Sequence, residues 1–148
     1  TSCMDEAEAQ FILGVIASEG TFHGAISEWE SGISVTPSFQ VRLTSERDSS
    51  LVKKMHEETG IGRVEENDGM TGWVVSNKQD AQDLVEWIEN RSSAMWEASD
   101  KSQAFNEWKK MVRLLKGYTK SDWKKVKAVE IATNMNRSEG RGKEFVAQ

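Results

Sequence analysis

Phe11-Ile12-Leu13-Gly14-Val15-Ile16-Ala17-Ser18-Glu19-Gly20 is the stretch on which the reading of this chain turns. Residues 5–18 read as a helix, with acidic side chains in the first turn and small or apolar ones, including Ala7, Phe11, Leu13, Gly14, Val15 and Ala17, on more than one side. Gly20 is well placed to stop it. Gly14 and Ser18 lie one turn apart, a small-xxx-small spacing that lets a second helix approach closely. Glu19 then falls at the C-terminal end, where the helix dipole disfavours a negative charge. If two copies of the helix packed about a two-fold axis, their carboxylates would meet at one end. Paired acids suit a hard cation such as Mg²⁺, which can serve phosphodiester hydrolysis. On spacing and chemistry alone, a surface glutamate beside a core helix is the simpler account.

Two stretches with a period of two follow. Phe22, Gly24 and Ile26 alternate with Thr21, His23, Ala25 and Ser27; Val35, Phe39, Val41 and Leu43 alternate with Ser34, Thr36, Ser38, Gln40 and Arg42. Such alternation marks strands with one buried and one wet face. Pro37 hints at an edge or irregular position. Residues 45–59 read as an amphipathic helix capped by Ser45 and closed by Gly60, and 61–66 with 72–76 as a hairpin around Asn67-Asp68-Gly69. Residues 78–90 form a third helix with Ala81, Leu84, Val85 and Ile88 as its stripe. Serine and alanine loosen residues 92–100, helices at 103–116 and 121–133 follow, and the end is expected to fray. The order is α-β-β-α-β-β-α with C-terminal helices, an α+β domain over residues 1–135 and a tail over 136–148.

The 148 residues suit one compact domain, and 37% hydrophobic with 29% charged residues fits a globular protein. The apolar run from Phe11 to Ala17 is too short to cross a bilayer, which argues against a membrane partner. The N-terminus lacks a signal-peptide pattern, so the expectation is an intracellular protein. Cys3 alone makes neither an internal disulfide nor a zinc site. The net charge of −5 hides an asymmetry: residues 1–104 carry 8 basic and 19 acidic side chains, residues 105–148 carry 11 and 5. A local basic surface is therefore compatible with an acidic protein.

With the strands and helices placed, Ile12 to Gly20 resembles the motif of the LAGLIDADG homing endonucleases, with Glu19 at its last acid and Gly14 at its packing glycine. Ser38-Phe39-Gln40-Val41, Thr59-Gly60-Ile61-Gly62-Arg63-Val64, Gly72-Trp73-Val74-Val75-Ser76 and Lys101-Ser102-Gln103-Ala104-Phe105 follow that family's order and spacing. Single-motif members are homodimers, so the resemblance implies a dimer interface at Phe11, Gly14, Val15, Ala17 and Ser18. It implies a curved four-stranded antiparallel sheet set over the major groove of double-stranded DNA. Thr21, His23, Ser27, Trp29, Ser34, Thr36, Ser38, Gln40, Arg42, Arg63, Glu65, Asn67 and Val74 would then read bases, with Lys116 and Lys120 on phosphates. Two half-sites one turn apart imply a pseudo-palindrome of about 20 bp.

By the same resemblance, Glu19 and the Ser18 carbonyl hold Mg²⁺, with Mn²⁺ or Ca²⁺ as substitutes, while Arg47 and Lys101 act near the scissile phosphate. No small-molecule cofactor is implied. The implied function is site-specific double-strand cleavage of DNA by metal-dependent hydrolysis, of the kind associated with intron or intein mobility. The chain departs from the pattern at Leu43, where relatives carry a polar residue that positions water, and at Glu28, Glu30, Glu65 and Glu66, where they are usually basic. The rivals are a non-catalytic DNA- or RNA-binding protein on the same scaffold, a regulator or intron maturase, and an acidic protein-interaction domain. His23 has no partner at metal-ligand spacing, His56 reads as solvated, and Trp73, Trp87, Trp96 and Trp108 read as core anchors.

Overall fold

The computed structural model describes residues 5–29, 32–44, 46–115 and 122–138, with backbone alone at 28, 29, 32, 33, 46, 47, 122–126, 137 and 138. Helix α1 (Glu6–Glu19) leads into strands β1 (Gly20–Trp29) and β2 (Gly32–Leu43). Helix α2 (Glu46–Thr59), strands β3 (Arg63–Asn67) and β4 (Met70–Val75) and helix α3 (Lys78–Arg91) repeat the theme. Helices α4 (Ala94–Ala98), α5 (Asp100–Leu114) and α6 (Asp122–Ser138) follow. The strands form one antiparallel sheet in the order β1-β2-β4-β3. The expected α-β-β-α-β-β-α arrangement with C-terminal helices is therefore the fold.

Asp5 starts α1 by accepting the Glu8 amide at 2.7 Å, and Ala9, Ile12, Leu13 and Ile16 form its buried side. Helix α1 passes into β1 at Gly20, where the backbone is extended, at φ −75°, and the space suits a glycine, since a Cβ there would lie 2.6 Å from the Ile16 carbonyl oxygen. The hairpin turns on Asp68 and Gly69, both left-handed at φ 50° and 77°, the pairing that suits a two-residue loop. Pro37 lies in the part of β2 that pairs with β1 but precedes the pairing with β4, which begins at Phe39.

One face of the sheet carries the core. Phe22 stacks at 4.9 Å from Phe39 and 5.0 Å from Trp108, and Phe39 meets the edge of Trp73 at 5.3 Å. Each such side chain contributes about 1.5–3 kcal/mol on burial. Trp73, Trp87, Trp96 and Trp108 are all buried, as expected. Gly24 lets α5 and α6 sit close on β1, since a Cβ there would stand 2.5 Å from the Ala132 Cβ and 2.9 Å from the Met111 sulfur.

Several boundaries differ from the sequence reading. Residues 92–100 are not a loosened linker: Ser93 caps α4 by accepting the Trp96 amide, and Ser99 caps α5 by accepting that of Ser102. That moves the start of α5 from 103 back to Asp100. Helix α6 runs to Ser138, past the expected domain end at 135. Asn136, only 1% exposed, donates to the Gly24 carbonyl at 3.0 Å and so belongs to the packed unit. His56 is half-buried rather than solvated, its Nε2 3.0 Å from the Gly62 carbonyl oxygen. The expected caps Ser45 and Ser121 and the tail 139–148 lie outside the described residues. Among the described residues, no helix is long and apolar enough to cross a membrane.

Candidate functional site

Strand register sorts the side chains. Thr21 pairs with Gln40, His23 with Ser38, Ala25 with Thr36 and Ser27 with Ser34. Gln40 continues across the sheet to Val74 and Arg63, and Arg42 to Gly72 and Glu65. Because residues in register share a face, these groups line the side of the sheet opposite the aromatic core. The described side chains of the sequence-derived reading set, from Thr21 to Val74, thus occupy one polar face, with Ala25, Met70 and Gly72 between its members. Two of the set are covered: Val74 is 5% exposed, lying between Gln40 and Arg63, and Ser38 is buried beside His23.

This face carries a connected ion pair. Glu65 accepts from Arg42 Nη2 at 3.2 Å and from Arg63 Nε and Nη2 at 2.9 and 2.6 Å. Arg42 Nε donates to Gln40 Oε1 at 2.8 Å, and Arg63 Nη1 donates to the Ser76 hydroxyl. Hydrogen bonds from Arg63 and then Arg42 hold the Glu65 carboxyl below the usual carboxylate range. Glu66 is on the opposite face, paired with Lys53 of α2 at 2.9 Å. Leu43 packs against the core side of the sheet.

At the junction of α1 and β1, Glu19 is exposed and, among the described residues, its carboxylate has no hydrogen bond or ion pair. The Ser18 hydroxyl donates to the carbonyls of Gly14 and Val15, within its own helix. Lys101, in the first turn of α5, donates from Nζ to the carbonyl of Gly20, the residue after Glu19. An ammonium at a helix C-terminus opposes the dipole that disfavours the neighbouring acid. The exposed side of α1 presents Phe11, 60% exposed, with Gly14 and Ser18; Val15 and Ala17 are half-buried. A Cβ on Gly14 would meet nothing within 4 Å, so nothing among the described residues calls for a glycine there. An apolar hollow of about 290 Å³ opens beside it, lined by Leu13, Gly14, Ala17, Met95 and Trp96 among others.

A family profile described as LAGLIDADG endonuclease matches residues 12–112. The chain belongs to this family. Its fold is similar to the homing endonuclease I-TnaI, with a TM-score of 0.74 at 21% identity over 86% of this chain and 87% of that one. The archaeal intron-encoded homing endonuclease I-Vdi141I, complexed with DNA, matches with a TM-score of 0.78 at 21% identity, over 90% and 85% of the two chains. I-CvuI, in complex with the I-CreI target with DNA not cleaved, gives 0.72 at 18% identity over 88% and 81%. No curated protein sequence matches.

In this LAGLIDADG chain the expected metal residues Glu19 and Ser18 are adjacent at the end of α1, and Lys101 reaches that end from α5. The side chains of Arg47 and Trp29, and all of Lys116 and Lys120, lie outside the described residues. Sequence parity missed Met70 and Gly72 on the polar face, although both stand at period-two positions from Val74. It also missed Ser76 as the partner of Arg63, and Met95, which is 84% exposed on α4.

Proposed function

We propose that two copies of this chain act as a site-specific DNA endonuclease that cuts both strands by metal-dependent hydrolysis. The observation carrying this reading is continuity: Glu19, exposed and without a side-chain partner among the described residues, ends the helix that presents Phe11 and Gly14 outward, and Thr21, two residues on, begins the polar sheet face. Close packing of that helix against its copy would deliver two carboxylates together, with a polar sheet face on either side for double-stranded DNA.

The donor chemistry fits a hard divalent cation. Glu19 supplies a carboxylate and Ser18 a carbonyl, oxygen donors of the kind that Mg²⁺, Mn²⁺ and Ca²⁺ take. When bound, the metal supplies positive charge for the scissile phosphate and lowers the pKa of a bound water. Glu19 would hold it; Lys101 places an ammonium beside the same helix end; Arg47 is proposed for the same charge on the phosphate. Thr21, His23, Ser27, Ser34, Thr36, Gln40, Arg42, Arg63 and Asn67 offer donors and acceptors to base edges.

Leu43 favours a second reading, a DNA- or RNA-binding protein without cleavage, because its side chain packs on the core side and offers water no polar group. Incubating a DNA library with Mg²⁺ and the natural protein or Glu19→Gln separates the two. On the endonuclease reading the DNA is cut by the natural protein, is cut about 10²–10³-fold more slowly or not at all by Glu19→Gln, and is bound by both. Binding without cleavage by the natural protein supports the second reading.

A further inference from the structure

Glu65 sits on the polar face with both carboxylate oxygens engaged, one by Arg42 of β2 and the other by Arg63 of its own strand. Arg42 reaches it across β4, and the register explains how: Arg42, Gly72 and Glu65 are neighbours in one row. Gly72 is the residue beneath the crossing side chain. A Cβ there would stand 2.9 Å from Arg42 Nη1 and 3.2 Å from its Cγ, so glycine gives the arginine room to lie flat over the strand and a larger residue would push it aside.

The donor count shows what this arrangement leaves over. A guanidinium has five N–H groups. Arg42 spends one each on Gln40 and Glu65 and keeps both on Nη1 and one on Nη2. Arg63 spends Nε–H and one Nη2–H on Glu65 and one Nη1–H on Ser76, keeping one on each Nη. Both therefore retain N–H donors on Nη1 and Nη2, the groups that can pair with guanine O6 and N7. Glu65 in turn has little acceptor capacity left for a cytosine amino group. It also cancels one of the two positive charges, which weakens attraction to phosphate irrespective of sequence.

We propose that Glu65 is a positioning residue that fixes Arg42 and Arg63 as a rigid pair of base readers, setting sequence preference rather than contacting a base itself. This rests on the DNA-binding reading above. Ion pairs this exposed contribute little to stability, so the consequence of removing the acid falls on recognition.

The test has a DNA-free arm and a DNA arm. In nitrogen-detected NMR, the Arg63 Nε–H and Arg42 Nη2–H signals, assigned with Arg42→Lys and Arg63→Lys, exchange slowly with water in the natural protein and fast in Glu65→Gln. Equal, fast exchange in both proteins overturns the proposal without reference to DNA. In the second arm, a pool of duplexes randomised over about two helical turns is selected by each protein. Glu65→Gln loses base preference beneath the two arginines, and its log K against log salt on a fixed random duplex steepens by about 0.9. Gly72→Ala, which keeps the acid but displaces Arg42, loses preference beneath Arg42 alone. An unchanged selection and slope in Glu65→Gln, with the natural protein selecting a clear site, overturns the positioning role and leaves DNA recognition standing. A natural protein that retains no duplex overturns both.

Discussion

The Lys101 ammonium donates a hydrogen bond to the carbonyl of Gly20, the residue that follows Glu19. One side chain thereby ties the first turn of α5 to the point where α1 becomes β1, and puts a positive charge where the helix dipole and the acid are both negative. Lys101→Met removes the charge and keeps the stem. The expected result is a cleavage rate lowered about 10²-fold at saturating protein, with the mobility shift on DNA retained. Unchanged single-turnover cleavage would assign Lys101 to holding the junction alone.

Gly14 makes opposite demands on the single chain and on the proposed pairing of two copies. A Cβ there meets open space, so Gly14→Ala should stabilise the isolated chain by about 0.5–1 kcal/mol, the helix-interior difference between the two residues. The same methyl would stand between two close-packed helices and weaken self-association. Urea unfolding and sedimentation equilibrium read the two effects separately. A variant that associates as tightly as the natural protein would show that this side of α1 is not a close helix seam.

The docking of α6 on the sheet is tested at Gly24. Its added Cβ collides with Ala132 and Met111, and the Asn136 hydrogen bond to its carbonyl anchors the same place. Gly24→Ala is expected to cost about 1–3 kcal/mol in urea unfolding, the usual range for overpacking. Asn136→Ala should cost about 1–3 kcal/mol for the carbonyl left buried. Losses below about 0.5 kcal/mol for both would mean that α6 is not packed on β1 as described.

The Glu65 pair predicts a direction with pH. Its carboxyl is held low in the folded chain, so its contribution is fully present above the unfolded value, about 4.3. It is lost as pH falls through the lowered folded value. The melting temperature of the natural protein minus that of Glu65→Gln, a small difference for a pair this exposed, should stay flat above about pH 5 and shrink in more acid solution. A difference that instead grows as the pH falls would contradict the pairing.

How legible all this was depends on what a period can carry. The parity of residues 21–43 assigned Thr21, His23, Gln40 and Arg42 to one face and Phe22, Phe39 and Val41 to the other, because a half-buried strand repeats every two residues. The Arg42–Glu65 contact was not readable: the residues are 23 apart and meet only because β4 lies between β2 and β3, a sheet order that alternation does not encode. Ser93 and Ser99 misled for a different reason. A capping serine and a loop serine are the same letter, and the cap shows only when its hydroxyl accepts the amide three residues on. His56 looked solvated among charged neighbours because its partner, the Gly62 carbonyl, lies across the helix end.

The central claim is that two α1 helices pack so that their Glu19 carboxylates meet. Pulsed electron paramagnetic resonance on a Glu19→Cys, Cys3→Ser chain carrying one spin label measures it directly. Helices packed about 8–10 Å apart put the two labels at the same end of the pair, and a strong short-distance dipolar signal is the predicted result. Labels that show no dipolar partner, or only a distance spanning the length of the molecule, would contradict it.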